Sequence, residues 1–333
     1  MYLIKQNKSS MGWLFLCLLL LLFNFPSFSS SFNFLCHHDE SSALLQFKSS
    51  FTINTDYNGC GEPLLKTTTW KNETDCCSWP GVTCNTVYGR VVGLNLGCEG
   101  LQGIFHPNNT LFYLVHLQTL NLSNNDFSAS HFHSKFGRFL SLAHLDFSSC
   151  YFEGEIPIQI THLYKLQSLH LSQNYELVWK ETTLNRLMQN VTNLSELFLD
   201  DTDMSSIRPN SMDLLFNHSS TLVTLNLAHT GLSGNLKNNI LCLPGIQELD
   251  MSQNFNLQGK LPELSCSASL SNLHISSCQF QGPIPLSFSN LTHLTSLSLS
   301  YNNLSYFSSF DVSLTYIFHT IHLAVKYQMC LVG

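Results

Sequence analysis

Residues Leu117 to Phe127 read LQTLNLSNNDF, and the same apolar spacing returns behind Leu142, Leu166, Leu194, Leu222, Ile246, Leu270 and Leu294. Successive leads stand 25, 24, 28, 28, 24, 24 and 24 residues apart, and a weaker copy, VVGLNL at Val91 to Leu96, starts 26 residues before Leu117. A period of this size, held over about nine copies, means that the chain stacks small units instead of closing one globule. Within a copy, apolar residues two apart point inward from a short strand, and the residues between them point to the other face. One coil cannot bury its own leucines. Each therefore lies on its neighbours, and the core grows along the stack.

The pattern L-x-x-L-x-L-x-x-N/C-x-L is that of a leucine-rich repeat. Eight residues after each lead stand Asn125, Cys150, Asn174, Thr202, Thr230, Asn254, Cys278 and Asn302. In a buried turn, an Asn amide can bond backbone groups of adjoining coils that would otherwise go unsatisfied. Two copies carry an extra residue after this position, Asn174 to Leu177 (NYEL) and Asn254 to Leu257 (NFNL), where a turn tolerates it better than a strand. Further along, GEIP at Gly154, GKLP at Gly259 and GPIP at Gly282 recur in register, with GNL at Gly234 as a partial copy. Glycine permits a tight turn and proline fixes φ and removes a donor, so the return path is expected to be a non-strand or short-helix run. The element resembles the plant extracellular type of leucine-rich repeat. The expected fold is an α/β leucine-rich-repeat solenoid of that type.

Composition narrows the compartment and the partners. Of 333 residues, 44% are apolar and 11% charged, with a net charge of −7 and no runs of one sign. The absence of a basic patch or stripe argues against nucleic acid. Residues 1–31 read as a secretory signal: Lys5 and Lys8 precede an apolar run from Trp13 to Phe23, too short to span a membrane, followed by Pro26 and serines. One of the twelve cysteines, Cys17, falls in that signal, so an odd eleven enter an oxidising route and at least one stays unpaired. Sequons head Asn72, Asn108, Asn190, Asn193, Asn217, Asn290 and Asn303, all expected to be glycosylated. A further sequon, Asn121, points to the concave strand face and is the less favourable acceptor.

Residues 32–90 do not repeat. Asp39 to Phe51 (DESSALLQFKSSF) sets Ala43, Leu44, Phe47 and Phe51 on one side of an amphipathic helix, with two acids in its first turn. Trp70 to Cys84 (WKNETDCCSWPGVTC) then leads into the first strand. A solenoid needs its open edge covered, and this block supplies a cap. Together, C-x-x-D-E-x-x-A-L-L-Q-F-K-S from Cys36, W-x5-C-C-x-W-x-G-V-x-C from Trp70 and G-R-V-V-x-L-x-L from Gly89 resemble the N-terminal cap of plant leucine-rich-repeat receptor proteins. CEGLQGIFHPNNTLF from Cys98 and KFGRFLSLAHLDFS from Lys135 are similar to the tomato Cf class of disease-resistance receptor-like proteins. The resemblance implies a cell-surface immune receptor without a kinase of its own, which recognises a pathogen-derived protein or peptide and signals through co-receptor kinases. Carried over from the family cap, Cys36 would pair with Cys76 and Cys77 with Cys84. Cys60 and Cys98, inside and just beyond the cap, are a further candidate pair. Cys242 and Cys266 stand 24 residues apart, at the same place in adjacent copies. Adjacent rungs about 5 Å apart would permit a disulfide, and two small apolar turn residues would fit as well. Cys150 and Cys278 are expected to be buried and unpaired.

Binding on such a stack is expected from strand positions free of core duty. The less ordinary residues there are His144, His170, Glu196, Phe198, Asp200, Asp201, His229, Glu248, Asp250 and His274. Phe198 stands out, because an aromatic on a polar face is favourable once a partner covers it. His170, His229 and His274 belong to non-adjacent copies and do not promise one tetrahedral metal site. No nucleophile elbow, zinc-protease helix, phosphate loop or kinase motif occurs, and neither catalysis nor a cofactor is expected. The repeats run through 91–304, and residues 305–333 leave their frame, reading as a tail produced by truncation of a longer receptor. An uncovered last coil would then fray. As it stands the chain is expected outside the cell; an intact receptor would be a single-pass plasma-membrane protein. The alternative is a secreted inhibitor similar to polygalacturonase-inhibiting proteins, which share the cap and the G-x-I-P element.

Overall fold

A computed structural model of the protein describes residues 36–55, 60, 64–208, 221–236, 240–264, 266 and 269–305. The signal segment, Asn217 and the tail after residue 305 lie outside them. The described residues form a leucine-rich-repeat solenoid behind a disulfide-stapled helical cap. Ten strands make one continuous sheet. Val82–Cys84 pairs antiparallel with Val91–Asn95, and eight short strands follow in parallel, from Thr119–Asn121 to Ser296–Ser298. Register is set by the middle leucine of each copy. Leu94, Leu120, Leu145, Leu169, Leu197, Leu225, Leu249, Leu273 and Leu297 lie side by side, each at most 5% exposed. Burying each such side chain contributes about 1.5–3 kcal/mol before entropy.

Each coil ends its strand in the same way. Asn124, Ser149, Gln173, Asp201, His229, Gln253, Ser277 and Tyr301 all have φ between 53° and 60°, in the left-handed region. The strain is offset because the backbone N–H there reaches the next coil, as from Gln173 to the Asp200 carbonyl (2.9 Å) and from His229 to that of Ser252 (2.8 Å). The buried Asn follows one residue later. Asn174 Nδ2 donates to the Phe147 and Leu171 carbonyls (2.9 and 2.8 Å), and its Oδ1 accepts from Phe152 N–H (2.9 Å). Asn125, Asn254 and Asn302 repeat the arrangement. Thr202 and Thr230 bond only a carbonyl of their own coil with their hydroxyls, apart from a 3.2 Å contact between Thr230 and Asn254. Cys150 and Cys278 are buried and free; burial pushes the Cys278 thiol up to about 11 and the Cys150 thiol well above its ordinary value.

The return path corrects one expectation. The G-x-I/L-P stretches do not avoid strand: Phe152–Glu155, Ser233–Asn235, Asn256–Gly259 and Gln279–Pro283 belong to a second set of parallel strands, and 3-10 turns begin only after Pro157 and Pro285. Glycine serves there because space is lacking. A Cβ on Gly154 would lie 2.6 Å from His131 Nδ1, and one on Gly259 would lie 2.8 Å from Asn235 Oδ1. The second sheet comes in two pieces, one of three strands (Ser130–His131, Phe152–Glu155, Leu177–Val178) and one of four (Ser233–Asn235 to Asn303–Ser305). A longer helix, Glu181–Asn190, fills the first 28-residue step.

In the cap, α1 runs His38–Ser49 and buries Ala43, Leu44 and Phe47; Phe51 lies past its end and packs edge-on against Phe47. Buried Glu40 accepts from the Val91 N–H (2.9 Å), tying the helix to the first strand. Glu99, also buried, accepts from the N–H groups of Lys66 and Thr67 and from the Thr67 hydroxyl. Trp70 stacks on Trp79 at 5.2 Å. Three disulfides staple this end: Cys36–Cys76, Cys60–Cys98 and Cys77–Cys84, with Cα separations of 5.4, 5.8 and 5.4 Å. A fourth, Cys242–Cys266, joins adjacent copies at 5.8 Å. A phenylalanine cluster carries the core from cap to coils, including Phe47, Phe105, Phe127, Phe136 and Phe152.

Candidate ligand-binding surface

Parallel pairing in register turns the outward residues into columns. Thr119, His144, Ser168, Glu196, Thr224, Glu248, Asn272 and Ser296 form one, and Asn121, Asp146, His170, Phe198, Asn226, Asp250, His274 and Ser298 the next. The candidates His144, Glu196 and Glu248 thus share the first column, and His170, Phe198, Asp250 and His274 the second. Asp200 stands just past its strand, next to Ser172, whose hydroxyl donates to its carboxylate. Burial raises the Asp200 carboxyl above its ordinary value, against that hydrogen bond.

The middle of the second column holds the least ordinary contact. The rings of His170 and Phe198 lie 4.4 Å apart, and His170 Nε2 is 3.0 Å from Ser168 Oγ and 3.5 Å from Glu196 Oε2. Phe198 is half-buried, its free area facing the concave side. Three copies beyond Phe198, His274 Nδ1 lies 3.5 Å from Asp250 Oδ2 and its Nε2 lies 2.9 Å from Ser296 Oγ. The Asp250 hydrogen bond, against burial, raises the His274 imidazole above its ordinary value. Burial opposes the charge of Asp250, yet the His274 bond and the Ser252 N–H hold that carboxyl below the usual range. Asp250 also has a structural duty: its Oδ1 accepts from Ser252 N–H at 2.8 Å, as Asp146 does from Ser148.

Asp201 and His229 differ from the other candidates. Both are left-handed residues beyond their strands, so they lie at the loop edge and not in the concave columns, and there Asp201 Oδ1 meets His229 Nδ1 at 2.5 Å. Beside them stand exposed aromatics that strand-based reasoning passed over, Tyr175 and Phe255, with Tyr151 one copy earlier. Their signal was present in the sequence. Each stands nine residues after its lead. The three histidines do not converge; His170, His229 and His274 each contact different acids. Among the described residues, one cluster has metal-ligand spacing, Cys36, Cys76 and Cys77, and all three are in disulfides. The sequon residues Asn72, Asn108, Asn190, Asn193, Asn290 and Asn303 are exposed, whereas Asn121 Oδ1 accepts from Ser123 N–H and Oγ at 2.8 Å. No helix among the described residues is long and apolar enough to cross a membrane.

Known proteins are similar to this chain in sequence and in fold. The family described as Leucine rich repeat N-terminal domain matches residues 37–85, and Leucine Rich Repeat matches 116–137, 141–163 and 269–291. Receptor-like protein 6 of Arabidopsis thaliana is 38% identical over 309 residues, covering 87% of this chain and 31% of that protein. Receptor-like protein Cf-9 of Solanum pimpinellifolium is 40% identical over 297 residues, covering 85% and 33%. The chain thus spans about a third of the length of these relatives. Among solved structures, the plant peptide hormone receptor RGFR1 in complex with RGF2 superposes with a TM-score of 0.53 at 27% identity, over 68% of this chain and 38% of that one.

Proposed function

We propose, from a chain that belongs to the plant leucine-rich-repeat receptor-like proteins, that its concave face recognises a protein or peptide ligand at the cell surface. The observation that carries this is the His170–Phe198 pair, a half-buried aromatic in a face otherwise built of polar residues. A ligand that covers the ring gains apolar area, and Glu196, Asn226 and Asp250 around it supply polar contacts that select among ligands. The likeness to Cf-9 supports a role in defence, with a pathogen-derived ligand and with co-receptor kinases supplying the catalytic step that a kinase-less receptor lacks. The likeness to a peptide hormone receptor solved with its ligand supports recognition of a short peptide. Glycans on the exposed sequons would leave the concave columns open.

The test uses the secreted full chain immobilised on a biosensor and fractionated secretions of plant pathogens as analyte. A binding fraction is expected, with affinity falling about tenfold or more in the His170→Ala, Phe198→Ala double variant. Tyr164→Ala, an exposed position outside the sheet, is expected to leave it unchanged. Binding that ignores the double variant, or no binding fraction at all, would sink the concave-face reading.

A further inference from the structure

The interruption of the second sheet opens a recess. After Val178, that sheet continues only as an isolated bridge to Asp203, and among the described residues it resumes at Ser233–Asn235. One copy lies in between, the copy led by Leu194, with Thr202 at the ladder position where Asn174 and Asn254 bond backbone groups of adjoining coils; the next copy, with Thr230, is the one in which the sheet resumes. Tyr175, Asp201, Asp203, His229, Gly231 and Phe255 line a recess of about 280 Å³ there. Gly231, with φ of 74°, puts no side chain into it. Tyr175 and Phe255 stand at its ends, 57% and 58% exposed and three copies apart. At about 4.8 Å per rung the trench is roughly 14 Å long, the span of about four extended residues.

Its chemistry is one-sided. Asp201 lies hydrogen-bonded to the Tyr175 phenol, Asp203 adds a second carboxylate to the lining, and no Lys or Arg lines the recess. The Asp201 charge, and burial after it, hold the Tyr175 phenol above its ordinary value. Asp203 spends Oδ1 on the Ser205 N–H (2.9 Å), and Asp201 shares Oδ1 with His229. A cation entering here meets two acids and an aromatic face together. A guanidinium suits this better than an ammonium, because its planar fork reaches two carboxylates while its face stacks on a ring.

We propose that this trench is a second binding site, which takes the guanidinium of an arginine on an extended peptide over Asp201, Asp203 and Tyr175, while Phe255 receives an apolar side chain about four residues away. The site stands apart from the concave face, since Tyr175, Asp203, Gly231 and Phe255 belong to no strand of the ten-stranded sheet. Saturation-transfer NMR on the intact chain tests it, with acetyl-arginine methylamide as probe and its neutral citrulline counterpart as control. The arginine probe is expected to bind roughly fivefold or more tightly than the citrulline one, and Asp201→Asn is expected to remove that margin. Asn tolerates the left-handed backbone at 201, so that variant keeps the fold, as its far-UV spectrum and melting midpoint would verify. Phe255→Ala is expected to leave the single-residue probe unchanged and to weaken acetyl-Arg-Ser-Ser-Ser-Leu-amide or its reverse sequence. Equal binding of the arginine and citrulline probes, or indifference to Asp201→Asn, would overturn the proposal. So would loss of the probe in Phe198→Ala, which would place it on the concave face; a failed concave-face reading leaves these outcomes untouched.

Discussion

The two sheets of this solenoid come from the same copies, yet one runs unbroken through ten strands and the other breaks after Val178. The first depends on leucines that recur in every copy, and nothing that varies between copies enters its ladder. The second depends on a glycine where neighbouring side chains crowd the backbone and on the turn Asn that ties it to the first. In the copy between the two pieces, led by Leu194 and 28 residues long, that glycine is missing and Thr202 stands in place of Asn. Continuity of a stacked sheet therefore follows its least variable contact. The break is also where the fold gains a recess with chemistry of its own.

The largest way to break the contrast is to attack the continuous sheet. Leu197→Ala, in the centre of the leucine ladder, is expected to lower unfolding free energy by about 3 kcal/mol or more in urea titration. A loss near that of an exposed substitution would refute the account of the core. The Asn ladder sharpens the contrast next. Asn174→Ala leaves the Phe152 N–H buried without a partner and is expected to cost about 2 kcal/mol, against about 1 for Thr202→Ala, which loses one bond within its own coil. Equal losses would mean that Asn does not couple the sheets.

The smallest effect is electrostatic. Because the folded His274 sits above its ordinary 6.5, its pairing stabilises fully below that value and is lost as pH rises through the raised one. Because Asp250 sits below its ordinary 3.8, its contribution is present above that value and is lost as pH falls through the lowered one. As pH rises from 6.5 through the raised His274 value, stability should therefore decline less steeply in His274→Asn than in the unaltered chain. Parallel profiles would show that the pair contributes nothing to folding.

Much of this was legible in the residues. The leads, the strand register, the buried Asn positions and the capping helix follow from spacing alone, because each is set within one copy or by the repetition of one rule. Phe198 was legible as well, as an aromatic in a polar slot. The strand character of the glycine-proline stretches was not, since it depends on a neighbouring coil offering its backbone at the right height. Nor was the separation of Asp201 and His229 from the concave residues, which turns on one left-handed residue per coil that no residue type announces: Asn, Ser, Gln, Asp, His and Tyr all occupy it.

Periodicity and residue type thus decided that this chain would stack and which leucines would be buried, because these are properties of a unit repeated along the chain. Tertiary structure decided that Tyr175, Asp201, Gly231 and Phe255, drawn from four copies, would line one recess, and that His170 would lie against Phe198. Those meetings depend on how each coil is offset on the next. The offset is set by hydrogen bonds and insertions summed over the stack, and no single copy contains it.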